Sequence, residues 1–261
     1  MTSTSTTAER AFVAGATGYT GRQVVRVLRE LDVAVSAHVR PDSGRMQAWR
    51  DRFASLGAAT DATPWDEAAM TSTLRELRPT IVFALLGTTR RRGKEAATAG
   101  RTETYETVDY GLTSLLLRAT LASGARPRFV YLSAVGVSDA TTNPYLAARA
   151  KMEAELRRSG LPYTIARPSF ITGEDREESR PLERGAAALG DLVLGVAARL
   201  GARQLASRYA SMDGATLAQG LVHAALDRSC ENAVLETAQL RAAAQRVRND
   251  PARRSGVRAS R

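Results

Sequence analysis

Apolar residues fall in short blocks along this chain, and most blocks are closed by glycine, proline or a charged residue. The first block is Arg10-Ala11-Phe12-Val13-Ala14-Gly15, apolar from position 11 until the glycine. A strand covered on both faces of a sheet reads this way, so a buried parallel strand is predicted over 10–15. From Gly21 to Leu31 the apolar residues sit at 24, 25, 27, 28 and 31, the spacing of an amphipathic helix. The alternation then repeats. Further strands are predicted at 33–39, 57–63, 80–86, 128–133, 163–167 and 233–236. Helices are predicted at 45–56, 66–77, 105–123, 144–159, 182–200 and 213–229, with Pro79 marking the end of the third.

Strands separated by helices at this interval predict a doubly wound α/β fold, a parallel Rossmann sheet with helices on both faces. No internal repeat or Pro/Gly/Ser-rich linker divides the chain. One Rossmann-like domain is therefore expected over 1–240, closed by a small C-terminal helical cap.

Composition changes the picture little. With 44% hydrophobic residues the 261-residue chain has ample material for a core. No apolar run approaches a membrane span of roughly 18 residues. The first ten residues are Ser/Thr-rich without an apolar segment, and Cys230 stands alone, so a reducing, cytoplasmic setting is expected. The net charge of +10 is unevenly spread: residues 241–261 hold seven arginines against Asp250, leaving +4 for the rest. That segment is expected to be a basic, flexible tail rather than a nucleic-acid groove, since no basic face interleaved with aromatics accompanies it. The expected partner is a small-molecule substrate, without membrane or nucleic acid.

The candidate chemistry begins where the first strand meets the first helix, at Gly15-Ala16-Thr17-Gly18-Tyr19-Thr20-Gly21. In a doubly wound sheet, ligands bind beyond the carboxyl ends of the strands, and this turn lies there. Gly15 permits a tight exit from the strand, Gly18 lets backbone N–H groups approach a pyrophosphate, and Gly21 lets helix and sheet pack closely. The helix start adds N–H donors and the positive end of a dipole. A glycine triplet alone is weak, but this one follows a strand and opens a helix. The second strand ends in His38-Val39-Arg40-Pro41-Asp42. An acid at that place holds the ribose of NAD, whereas the guanidinium of Arg40 suits the 2′-phosphate of NADP. NADP(H) is therefore favoured over NAD(H), with Asp42 still within range of a ribose.

By these motifs the chain resembles the atypical short-chain dehydrogenase/reductase superfamily, in its NAD(P)-binding, NmrA-like branch. The later segments are similar to the Tat-interacting-protein oxidoreductases: Leu85-Leu86-Gly87-Thr88-Thr89-Arg90, Val108-Asp109-Tyr110, Tyr131-Leu132-Ser133-Ala134-Val135-Gly136, Pro144-Tyr145-Leu146, Ala166-Arg167-Pro168 and the stretch 175–181. The resemblance implies that Leu86, Gly87 and Thr88 line the adenosine or pyrophosphate side, with Pro168 near the nicotinamide. It also implies catalysis by a serine that polarises a carbonyl, a tyrosine that moves the proton and a lysine that supports the tyrosine. Ser133 and Tyr145 match. The lysine does not: four residues after the tyrosine stands Arg149. Arginine brings charge but differs in shape and hydrogen bonding. Lys151 falls on another face of the helix, since six residues turn it through about 600° at 3.6 residues per turn.

Two readings of function follow. The first is an NADP(H)-dependent oxidoreductase with Tyr145 as acid/base, Ser133 as hydrogen-bond donor and Arg149 as electrostatic support, acting on a small carbonyl or alcohol. The second is a non-catalytic NADP(H)-binding redox sensor, favoured by Arg149. An epimerase or dehydratase of nucleotide sugars is weaker, because few residues follow Pro168 to build a substrate domain. No metal site is expected: His38 sits in a strand, His223 in an apolar helix, and Cys230 has no partner cysteine. The run Arg90-Arg91-Arg92-Gly93-Lys94 lies on the loop after the fourth strand, where it faces solvent or cofactor phosphates.

Overall fold

The computed structural model describes residues 8–88, 103–169, 171–172 and 211–248. Seven strands form one parallel sheet in the order β3-β2-β1-β4-β5-β6-β9. They are β1 (Arg10–Ala14), β2 (Ala34–His38), β3 (Ala59–Asp61), β4 (Ile81–Ala84), β5 (Arg128–Leu132), β6 (Tyr163–Arg167) and β9 (Ala233–Glu236). All seven lie within or beside the predicted strand positions. The one pairing not anticipated joins two short strands, β7 (Ile171–Thr172) and β8 (Met212–Asp213), in a separate parallel pair.

The side chains of β1 show why the strands read as unbroken apolar runs. Ala11 and Val13 pack into one core, while Phe12 and Ala14 pack into the other. Neither face meets water, so hydrophobic residues are needed at every position. The first core is closed by α1 (Tyr19–Glu30), α2 (Met46–Ser55), α6 (Gly214–Leu226) and α7 (Thr237–Arg248). The second is closed by α3 (Glu67–Leu77), α4 (Thr113–Ala122) and α5 (Pro144–Arg158). Helix α3 begins at Asp66, whose carboxylate accepts from the Ala69 N–H, and ends at Arg78 in a left-handed conformation. Asn143 caps α5 by accepting from the N–H groups of Tyr145 and Leu146, with Pro144 in the first turn. Among the described residues no helix is long and apolar enough to cross a membrane.

Two segments depart from expectation. The helix predicted over 105–123 is two elements: a π-helical segment, Tyr105–Leu112, runs into α4. The basic segment expected to be a tail from 241 begins instead inside α7, where Leu240, Ala243 and Ala244 are buried. Arginines mask this helix in the sequence, yet its small apolar face docks on α6. Gly220 marks how closely: a Cβ there would lie 2.4 Å from the Leu240 carbonyl oxygen. The helix predicted at 182–200, the run 90–94, the stretch 175–181 and the remainder of the basic segment lie outside the described residues.

Candidate functional site

The strand order reverses between β1 and β4, so the crevice above their carboxyl ends is the natural ligand position. The glycine turn lies there. Gly15 has φ +84°, and a Cβ on it would stand 2.6 Å from the Leu85 carbonyl oxygen. A side chain is thus excluded both by conformation and by the neighbouring strand end. At Gly21 a Cβ would lie 2.1 Å from the Gly15 carbonyl oxygen, so the helix can approach its own turn only without one. Gly18 is different. It is exposed, has ordinary extended backbone (φ −71°, ψ 167°), and a Cβ would meet only the Gly15 carbonyl oxygen at 3.2 Å.

Gly18 is the N-cap of α1 and brings no side-chain hydrogen bond to this helix start. The turn therefore offers the bare helix terminus that a pyrophosphate requires. Thr17 is half-buried, Thr20 is buried, and Tyr19 lies over Gly214, where a Cβ would be 2.2 Å from the tyrosine ring. The residues present fit a dinucleotide.

Arg40 follows β2 one strand away from this turn. Its guanidinium is 3.8 Å from the Asp42 carboxylate and remains partly open to solvent. The two residues weighed as alternatives for the ribose end of a cofactor are thus one ion pair. His38, just before them, is a core residue. Its Nε2 is 2.8 Å from the Thr63 carbonyl oxygen, and its ring packs between Phe12 and Trp65. Burial pushes its pKa down, against the Thr63 carbonyl and Asp61, which favour the proton.

After β4, Leu86 is buried and Thr88 turns toward the π-helical segment. Its backbone N–H and hydroxyl both donate to Asp109 Oδ2, at 2.9 and 2.6 Å. Asp109 Oδ1 accepts from Arg149 Nη2 at 2.8 Å, and both partners are almost fully buried. Gly87 adjoins this pair: a Cβ on it would be 3.5 Å from Arg149 Nη2 and 3.6 Å from Asp109 Oδ1.

Ser133 directly follows β5, and Tyr145 and Arg149 lie in the first turns of α5, where they meet each other. The guanidinium of Arg149 lies 4.7 Å from the centre of the Tyr145 ring, and its other amino group donates to the Leu132 carbonyl. Tyr145 is half-buried, its ring edge-on to the exposed Tyr105 at 5.3 Å. Burial opposes the charge of Arg149, but Tyr131, Tyr145 and Asp109 outweigh it and raise its pKa. Tyr131, buried behind the site, has its phenol pushed up to about 12, chiefly by burial, with Arg149 acting in the other direction. Pro168 is buried after β6, its carbonyl accepting from the Val135 N–H at 3.0 Å. Lys151 is exposed instead, paired with Glu106 and over the Tyr110 ring.

Ser133 departs from its expected role. Its hydroxyl donates to Glu153 Oε1 at 2.6 Å. Glu153 is wholly buried and also accepts from Arg167 at 2.9 and 2.6 Å and from Arg157 at 2.7 Å. Burial opposes its ionisation, yet the hydrogen bonds from Arg167 and Ser133 and the charges of Arg167 and Arg157 hold its carboxyl below the usual range. A serine has one proton to give. Here an ionised carboxylate accepts that hydrogen bond, which leaves the Ser133 oxygen with acceptor capacity only.

Asp109 and Glu153 were not singled out from the sequence. Glu153 carried a usable signal: it stands four residues after Arg149, itself four after Tyr145, on one face of α5. Cys230 is free in a short 3₁₀ turn, and among the described residues no three His, Cys, Asp or Glu side chains group as metal ligands.

A family model described as NAD(P)H-binding matches residues 15–193. A relative from Aspergillus terreus, "Protein fmp52-1, mitochondrial", is 35% identical over 127 residues, covering 48% of this chain and 50% of its own length. The chain thus spans half of that relative. "Protein FMP52, mitochondrial" of Debaryomyces hansenii is 29% identical over 176 residues, 65% of this chain and 70% of its own. Both names run against the cytoplasmic setting expected from composition, and that expectation is withdrawn: a lone cysteine and an apolar-poor start do not define a compartment. Among solved structures, the UDP-Glc/GlcNAc 4-epimerase of Campylobacter jejuni superposes with a TM-score of 0.61 at 13% identity, over 93% of this chain and 84% of its own. At that identity the likeness is one of fold.

Proposed function

Since the chain belongs to the NAD(P)H-binding family, we propose that it is an NADP(H)-dependent oxidoreductase of the atypical short-chain dehydrogenase/reductase type, acting on a small carbonyl compound or alcohol. The observation that carries this reading is a pairing. A glycine cradle that side chains would fill opens onto an uncapped helix, and two strands away Tyr145 rests on a buried cation. The bound nicotinamide would supply or accept the hydride. Tyr145 would give its phenolic proton to the substrate oxygen in reduction and take it back in oxidation. Arg149, held by Asp109 and the Leu132 carbonyl, would give electrostatic support against the Tyr145 ring. Ser133, whose hydroxyl donates to Glu153, would accept from a substrate hydroxyl and so orient an alcohol. Arg40 would meet the 2′-phosphate of NADP, with Asp42 beside it.

The test is a turnover screen with NADPH against small aldehydes, ketones and quinones, repeated with Tyr145→Phe. The reading expects turnover that falls by about a hundredfold or more in the variant while NADPH binding is kept. The committed proton of Ser133 favours a second reading, a redox-sensing protein that binds NADP(H) without reaction. Tight NADPH binding with no turnover across the screen would select it.

A further inference from the structure

Asp109 stands between the two halves of the site, and each of its oxygens serves one of them. Oδ2 receives both the N–H and the hydroxyl of Thr88, on the loop that follows β4. That loop borders the glycine turn: the Leu85 N–H donates to the Ala14 carbonyl at 3.0 Å, and Gly15 fits only because it lacks a Cβ against the Leu85 carbonyl. Oδ1 receives Arg149 Nη2. The other amino group of Arg149 donates to the carbonyl of Leu132, so two contacts in one plane fix the guanidinium beneath the Tyr145 ring.

We propose that Asp109 is a positioning residue that ties the cofactor loop to the Tyr145–Arg149 pair, so that seating of the cofactor and alignment of the tyrosine are set together. The proposal rests on the nicotinamide-cofactor reading above. Burial makes the link stiff. A carboxylate 1% exposed is tolerated only while its donors stay in place. Displacing Arg149 leaves Asp109 charged and half-paired, and its readjustment draws on Thr88. The link also accounts for arginine at position 149. A fork can reach a carboxylate and a carbonyl with separate amino groups, whereas lysine presents a single ammonium. The wider turn of the π-helical segment belongs to the same design, since it places Val108 and Asp109 inward while Tyr105, Glu106 and Thr107 stay exposed.

The experiment is a double-substitution cycle read by NADPH fluorescence titration of the whole chain: wild type, Asp109→Asn, Arg149→Met and the double variant. Each single substitution is expected to raise the NADPH Kd about tenfold, and the double variant by about the same factor, because one link is cut twice. Effects that multiply to roughly a hundredfold would overturn the proposal, since Arg149 would then reach the cofactor independently of Asp109. An unchanged Kd in Arg149→Met would also overturn it. Should Arg149→Met not fold, Arg149→Lys keeps the charge, loses the fork and must show the same non-additivity. Binding without turnover would sink the reductase reading alone, with the cycle still deciding the role of Asp109. A wild type that binds no NADPH would overturn both.

Discussion

The three glycines of the turn separate two demands that a dinucleotide site makes on a chain, and alanine at each position should separate them in experiment. At Gly21 the added Cβ would lie 2.1 Å from the Gly15 carbonyl oxygen, more than an ångström inside ordinary contact. Helix α1 would have to lift from the turn. Overpacking of this kind costs about 1–3 kcal/mol. For a domain of this size that lowers Tm by roughly 3–10 °C. Gly15→Ala adds a left-handed backbone, at about 1–2 kcal/mol, to a contact of 2.6 Å with the Leu85 carbonyl, and should be at least as damaging. Gly18→Ala is the informative control. Its backbone is extended, the residue is exposed, and its one contact at 3.2 Å relaxes with a shift of a few tenths of an ångström. Its Tm should stay within about 2 °C of wild type. Its NADPH Kd should nonetheless rise about tenfold or more, because the methyl stands where backbone N–H groups must approach a pyrophosphate. Thermal melting and fluorescence titration of the three variants read both quantities. Normal NADPH binding by Gly18→Ala, or a Tm loss equal to that of Gly21→Ala, would refute the reasoning.

The Glu153 cluster predicts acid sensitivity. Its carboxyl is held below the usual 4.5, so its contribution is complete above that pH and is lost as pH falls through the depressed value. Glu153→Gln should lose about 2–3 kcal/mol at pH 7, at or below the lower end for a buried ion pair because Arg157 and Arg167 reach water. The Tm gap to wild type should narrow between pH 5 and pH 3; a constant gap would contradict the assignment. Arg40→Ala should weaken NADPH by about tenfold and NADH by less than about threefold, as loss of a charge-assisted contact to a 2′-phosphate requires. Equal losses in parallel titrations would assign Arg40 a role outside cofactor choice. Gly220→Ala forces a Cβ to 2.4 Å from the Leu240 carbonyl and should lower Tm by roughly 3–10 °C. An unchanged melt would mean that α7 does not dock on α6.

The sheet was legible because its chemistry is local. Both faces of β1, β4 and β5 are covered, so each strand had to be an unbroken apolar run that a reader of the sequence can see. The glycine turn was legible for the same reason: two close approaches, at Gly15 and Gly21, and the exposed helix cap Gly18 fall within seven residues. Tyr145 and Arg149 could be placed together because four residues are one helical turn. Glu153 shares that spacing, four residues after Arg149, but Asp109 could not be found this way. In sequence a buried acid on an amphipathic helix looks like a solvated one, and only the fold brings Thr88, Asp109 and Arg149 within hydrogen-bonding distance. The hydrogen bond of Ser133 was not legible, since its acceptor lies twenty positions away on α5. Helix α7 was hidden by arginines whose neighbouring alanines face the core.

The most direct test of the central claim is a titration of the purified protein with NADPH, NADH, NADP and NAD under one buffer condition. The account predicts that all four bind through the Gly15–Gly21 turn and that the phosphorylated pair binds at least about tenfold more tightly, with Arg40 as the cause. Binding of NADH as tight as NADPH would contradict the role given to Arg40. Binding of none would contradict the site itself.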